Sequence, residues 1–245
     1  MMELLPSAAT IAGLLLVGAV AGVIRGLTGF GAALVMAPAL TLLTDPVRAV
    51  VVTMVAICAT NLPLALGARR EAAYPTVGWF LAGCLPGLPL GVWLLTALPR
   101  EQLEWAIGLS VIAAALLLSR PSFRIARLTR GGKLAAGALS GLMNGGVGMG
   151  GPPVILALLA AGVPAASSRA TLILYFTGLN AVSVALMAGT GLIGAEALVW
   201  AALLVPTLAL AQKAGEWLFR RGGDRHFRGI AIALLVATGV MALVH

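Results

Sequence analysis

The chain has 245 residues, 60% of them apolar and only 10% charged, with a formal net charge of +8. Soluble domains carry charge on about a quarter of their residues, so these proportions exclude a soluble surface and make lipid the solvent. The positive balance does not point to nucleic acid: twelve of the sixteen Lys and Arg fall at Arg69–Arg70, Arg120 to Lys133 and Lys213 to Arg228, each between long apolar runs and without an aromatic platform.

The first stretch, MMELLPSAATIAGLLLVGAV, lacks a positive n-region and runs straight into glycine-rich apolar sequence, so it is expected to be a retained first helix. Apolar segments follow near 7–24, 30–43, 47–68, 76–98 and 103–119. Five more are expected near 133–144, 151–162, 165–188, 195–218 and 228–244. A full crossing needs ~20 apolar residues. Segments 30–43, 133–144 and 151–162 are therefore too short, and such pieces are tolerated only where they are buried in protein or line a cavity.

The two sets of five constitute an internal repeat. Gly26, Leu27, Gly31 and Pro38 match Gly141, Leu142, Gly146 and Pro153. After a drift of a few residues Arg48 matches Arg169, Asn61 matches Asn180, and Trp79 matches Trp200. The basic linker from Arg120 to Lys133 is expected to be cytoplasmic, and Arg69–Arg70 shares its side. The loop LPREQLE (98–104) is nearly balanced, whereas its counterpart FRRGGDRHFR (219–228) is strongly basic, so equivalent loops fall on opposite sides. The fold expected is an all-α polytopic membrane protein, a single integral membrane domain. It comprises two inverted repeats, 1–122 and 123–245, of about five helical segments each, with short broken or re-entrant segments near the midplane. Both termini then face outward, on the side opposite the basic linker.

Two stretches carry chemistry: VIRGLTGFGAALVMAP (23–38) and SGLMNGGVGMGGPPVIL (140–156). Glycine permits positive φ, and proline suits a first helical turn rather than an interior. Pro38 and Pro153 are accordingly expected to mark helix breaks. Each break leaves amide N–H groups free at the next helix start, where the dipole adds positive character, and such a site suits a small oxyanion. The expected contacts are Gly26, Gly29 and Gly31 in the first half, and Gly145, Gly146, Gly148 and Gly150 in the second. Arg25 adds a charge whose placement in a membrane helix costs ~2.5–3.5 kcal/mol on insertion scales. It is expected to meet an anionic substrate, against the alternatives of snorkelling or capping carbonyls. In the register above its counterpart is Ser140. Thr28, Asn61, Asn144 and Asn180 are candidates for ligand contact or for helix–helix hydrogen bonding. Arg48 and Arg169 suit either anion guidance at the two mouths or anchoring at headgroups.

Cys58 and Cys84 sit in apolar segments as small hydrophobes, not as a disulfide framework. His226 and His245 give no metal cluster, so no metal or other cofactor is expected. An enzyme would need convergent nucleophiles, acids or ligands, which no span supplies. The alternatives to a transporter are a membrane assembly or sensor subunit, or an anion channel. The apolar third to fifth segments offer no continuous polar lining for a channel. A homodimer is compatible with the sequence but has no clear signature in it.

The stretches GLTGFGAALVMAPAL (26–40) and GLMNGGVGMGGPPVILALLAAGVP (141–164) resemble the sulfite exporter TauE/SafE family, also described as sulfonate permeases. The resemblance implies alternating-access transport of small sulfur anions, such as sulfite, sulfoacetate or other sulfonates, across the inner membrane. Its partners would be that anion and the bilayer. The family pattern carries over onto Gly26, Gly29, Gly31 and Pro38, and onto Gly141, Gly145, Gly146, Gly148, Gly150, Gly151 and Pro153. The run AQKAGEWLFRR (211–221) departs from the family's glycine richness, and Lys213 and Glu216 are expected to pair there at i,i+3.

Overall fold

The structure is a computed structural model that describes residues 6–103, 105, 106, 109 and 128–221. The expected fifth segments, 103–119 and 228–244, lie almost wholly outside the described residues, as does most of the basic loop 219–228. Among the described residues there is no strand. Eight helices are described from end to end: α1 (Ala8–Thr28), α2 (Ala32–Thr41), α3 (Pro46–Ala68), α4 (Tyr74–Ala97), α5 (Arg130–Val147), α6 (Gly151–Ala160), α7 (Ala165–Gly189) and α8 (Ala195–Arg220). Five of them, α1, α3, α4, α7 and α8, are long and apolar enough to cross a membrane. The chain is thus an all-α polytopic membrane protein.

Local chemistry sets the helix starts. Ser7 Oγ accepts from Thr10 N–H, Asp45 Oδ1 from Arg48 N–H at 2.9 Å, and Thr129 Oγ1 from Gly132 N–H at 3.1 Å. These are side-chain N-caps, and Pro46 adds a pre-set first turn to α3. The Thr129 cap also corrects the expectation of a short segment at 133–144. The helix begins at Arg130 and continues through Gly145–Gly146 to Val147, 18 residues in all. The second segments are short as expected: α2 and α6 have ten residues each, about 15 Å of helix and half the hydrocarbon thickness.

Glycine stripes position the long helices. Gly18, Gly22 and Gly26 of α1 lie against Leu204, Leu208 and Gln212 of α8, so these two helices run the same way. Gly83, Gly87 and Gly91 of α4 meet Leu134, Ala138 and Leu142 of α5, again in the same direction, and Gly137, Gly141 and Gly145 answer from α5. Spacing by four residues puts each stripe on one helix face and lets backbones touch, the small-residue packing of membrane helices. The third helices run oppositely. Arg48, at the start of α3, reaches Glu196 beyond the end of α7. The far end of α3, Leu64 to Ala68, packs on Ala170 and Ile173 near the start of α7. The first helix of each half therefore lies on the fourth of the other, and the third helices lie on each other.

Local geometry also fixes the repeat register. α1 and α5 both end in a left-handed glycine, Gly29 (φ 80°) and Gly148 (φ 73°), whose N–H groups bond to the carbonyls of Arg25 and Asn144. The equivalent pairs are thus Gly29 with Gly148, Gly26 with Gly145, and Arg25 with Asn144. The sequence register that set Gly26 against Gly141, Pro38 against Pro153 and Arg25 against Ser140 is one helical turn out. The physical reason is the packing stripe itself: glycines recurring every fourth residue still match one another after a slip of one turn.

Candidate functional site

Both breaks are present and tight. Between α1 and α2 the chain turns through Gly29, Phe30 and Gly31 (φ 90°). Positive φ at Gly29 and Gly31 is a conformation L side chains rarely adopt. Thr28 is fully buried, with Oγ1 2.6 Å from Phe30 O and 2.8 Å from Ile24 O, and it accepts from Phe30 N–H. Thr28 therefore pins the link and is not a free ligand contact. Between α5 and α6 the link is Gly148, Met149 and Gly150. There Ser140 Oγ donates to Gly150 O and accepts from Tyr175 OH at 2.8 Å.

The unwound stretches are narrower than expected. Gly26, Gly145 and Gly146 lie inside helices, where their N–H groups are already used. Gly26 is pressed on the Gln212–Glu216 backbone and Gly145 on that of Leu88 and Val92, so these two serve close helix contact. Pro38 does not break a helix: it sits within α2. Pro153 is the third residue of α6, inside its first turn.

The two helix starts converge on one cleft of about 420 Å³ of empty space, its mouth included. Its lining comes in equivalent pairs from the two halves: Arg25 with Asn144, Phe30 with Met149, Gly31 with Gly150, Ala32 with Gly151, and Ile57 with Phe176. The cleft therefore draws on both glycine-rich links and on α3 and α7.

The halves supply different chemistry. α2 begins with no side-chain cap, and Gly31, Ala32, Ala33 and Leu34 all line the cleft. α6 also lacks a side-chain cap, but Pro152 and Pro153 stand where α2 has Ala33 and Leu34, and proline has no N–H to offer.

Arg25 is 3% exposed. Its Nη1 donates to Thr60 Oγ1 at 2.7 Å and to Ile57 O at 3.4 Å, and its Nη2 donates to Asn61 Oδ1. Asn61 Nδ2 in turn donates to Phe176 O. Every one of these partners is neutral, and both ion pairs found among the described residues belong to Arg48. Arg25 thus does not snorkel; it bonds in part to a backbone carbonyl, the capping alternative, and makes no ion pair among the described residues, although Glu216 is near enough to act on its charge. It keeps its charge inside the bundle at the edge of the cleft, on the same lining as the α2 amide groups.

The asparagines divide by role. Asn61 orients Arg25. Asn144 donates to Ser183 Oγ at 2.8 Å and to Met54 Sδ, so it both lines the cleft and ties α5 to α7. Asn180 lines the cleft at 3% exposure with Oδ1 buried and unpartnered. A buried amide oxygen without a partner is costly unless a ligand O–H or N–H satisfies it.

Other charged side chains are engaged elsewhere. Arg48 Nη1 lies 2.5 Å from Glu196 Oε1. Arg169 Nη2 donates to Gly26 O at 2.7 Å while its guanidinium lies over the Phe219 ring. Both make contacts within the protein. Glu216 accepts from Gln212 Nε2 at 3.3 Å, not from Lys213. No group of three metal-binding side chains occurs among the described residues.

Sequence reasoning missed Thr60 and the apolar wall of Phe30, Met149, Ile57 and Phe176. Thr60 adjoins the singled-out Asn61, a usable signal, but apolar lining residues look like any other core residue until helices are placed.

Together these features define a class: a multi-pass α-helical membrane protein whose two half-length helices start at a shared, positively charged cleft. The chain belongs to the family described as Sulfite exporter TauE/SafE, which matches residues 14–242. It is also 27% identical over 218 residues to the probable sulfite/organosulfonate exporter TauE of Cupriavidus necator (strain H16), covering 86% of this chain and 85% of that protein. No solved structure matches the chain.

Proposed function

We propose that this protein is a secondary transporter that exports sulfite or small organosulfonates across the bacterial inner membrane. The anion sits in the cleft between α2 and α6, held by Arg25 and by the amide groups after Gly31, with Asn180 on the facing wall. Gly148, Gly150 and Asn144 shape the opposite wall. One observation carries this reading: a buried guanidinium whose hydrogen-bond partners are all neutral, beside an uncapped helix start. In a low-dielectric bundle both attract negative charge strongly. Family membership and the relative's name support the substrate class.

The same-way pairing of α1 with α8 and of α4 with α5, and the opposed α3 and α7, support an inverted repeat. In such a repeat, rocking one half against the other exposes a fixed midplane site to each side in turn. Inverted halves with the α3–α4 loop cytoplasmic are consistent with periplasmic termini.

The test is flux of radiolabelled sulfite in proteoliposomes, compared with empty liposomes. Arg25→Gln is expected to lower flux at least about tenfold while the protein still elutes as a folded species. Full flux in that variant would remove the assignment.

A further inference from the structure

We infer that Arg169 is a second anion site, a receiving point between the Arg69–Arg70 end of the bundle and the cleft. The inference rests on the anion-site reading above. Arg169 lies near the start of α7, and Ala170 beside it packs with Leu64, Ala65 and Ala68 at the end of α3 that leads into Arg69–Arg70.

The Arg169 guanidinium is only partly committed to the protein. Among the described residues its one hydrogen bond runs from Nη2 to Gly26 O at 2.7 Å, and it rests 4.4 Å from the centre of the Phe219 ring. Its Nε is buried and has no partner. Glu71, Glu216 and Arg220 stand within electrostatic reach, yet neither carboxylate forms an ion pair with it. Arg48, at the opposite end of the bundle, is held by both Asp45 and Glu196. A buried N–H without a partner costs free energy that a ligand oxygen recovers. Charge-assisted hydrogen bonds are roughly twice as strong as those between neutral groups, so an oxyanion arriving at Arg169 competes well with the Gly26 carbonyl.

Position gives this exchange a consequence. Arg169, Ile173, Phe176 and Asn180 share one face of α7 at helical spacing, and the last two line the cleft. Arg169 Cγ and Ile173 Cγ1 lie 2.9 and 3.0 Å from where a β-carbon on Gly29 would stand, and Gly29 is itself a lining residue. The carbonyl that Arg169 holds belongs to the residue after Arg25. An anion taking that carbonyl's place therefore releases the last turn of α1, the wall between Arg169 and the cleft.

The experiment compares Arg169→Gln and Arg169→Lys in the full chain. Gln can still donate to Gly26 O but carries no charge, whereas Lys keeps the charge. In proteoliposomes with radiolabelled sulfite below saturation, Arg169→Gln is expected to lower initial flux at least about tenfold, and Arg169→Lys to stay within about threefold of the parent. Equilibrium binding of sulfite should remain within about twofold in both variants, since the cleft itself is intact. Flux of the parent should fall with rising ionic strength more steeply than flux of Arg169→Gln. A bracing role alone would affect both variants alike, so equal flux in the two, or an unchanged salt dependence in Arg169→Gln, would overturn the receiving site. The cleft is judged separately with Arg25→Gln. If that variant abolishes sulfite binding while Arg169→Gln transports like the parent, the receiving site alone falls. If Arg25→Gln binds sulfite unchanged, both readings fall.

Discussion

At the scale of single residues, Arg25 is the side chain whose cost and use are most clearly separated. It is buried against Thr60, Asn61 and a carbonyl, and makes no ion pair among the described residues. Burying a guanidinium without an ion-pair partner costs free energy that its hydrogen bonds offset, and Gln, itself a donor, can keep one of those bonds while removing that cost. Arg25→Gln is therefore expected to leave the ligand-free protein's stability within about 1 kcal/mol of the parent, in contrast to its loss of transport. Denaturant or thermal unfolding in detergent checks this; a large drop in stability would make Arg25 a structural brace. That it would be an unusual side chain was legible in the sequence, because arginine is rare within an apolar run. Its partners were not, since which residues of α3 stand beside residue 25 depends on how far two helices slide along each other. The same limit explains Thr28: its hydroxyl looked available in sequence, but the link between α1 and α2 uses it.

At the scale of elements, the two half-length helices look alike in sequence and differ in what they can bind. Glycine and proline punctuation made their existence and length readable. It did not fix their register, because a four-residue glycine stripe tolerates a slip of one turn. In the corrected register Ala33 of α2 corresponds to Pro152 of α6, so the second half already shows that proline fits this position. Ala33→Pro should fold, with a stability change within about 1 kcal/mol. It removes one amide N–H from the cleft. Hydrogen bonds to charged groups contribute about 1.5–3 kcal/mol, so sulfite binding should weaken by at least about tenfold. Undiminished binding in Ala33→Pro would exclude the α2 start as the anion cradle. The start of α5 shows another limit of reading by composition: Arg130, Gly131, Gly132 and Lys133 look like loop, yet the Thr129 cap brings them into the helix.

At the scale of the whole molecule, the cleft is lined from both glycine-rich links and from α3 and α7, which come from opposite halves of the described chain. Glycine stripes hold α1 on α8 and α4 on α5 at backbone contact, while α3 and α7 flank the cleft with larger side chains. Motion between the halves would then reshape the cleft from both sides at once. The proposed inversion puts the α3–α4 loop and the α7–α8 loop on opposite faces. Cysteines at Arg70 and Thr190, both exposed, in a background with Cys58 and Cys84 changed to Ala, should react with an impermeant thiol reagent from opposite sides of the membrane. Arg70→Cys should react from the cytoplasmic side; reaction of both from one face would contradict the inversion. The central claim, an anion held between Arg25 and the start of α2, is tested most directly by anomalous diffraction from crystals grown with selenite, a heavier analogue of sulfite. The account predicts a selenium peak within hydrogen-bonding reach of the Arg25 guanidinium and the Ala32–Leu34 amide groups. A fully occupied peak elsewhere in the bundle, with this cleft empty, would contradict it.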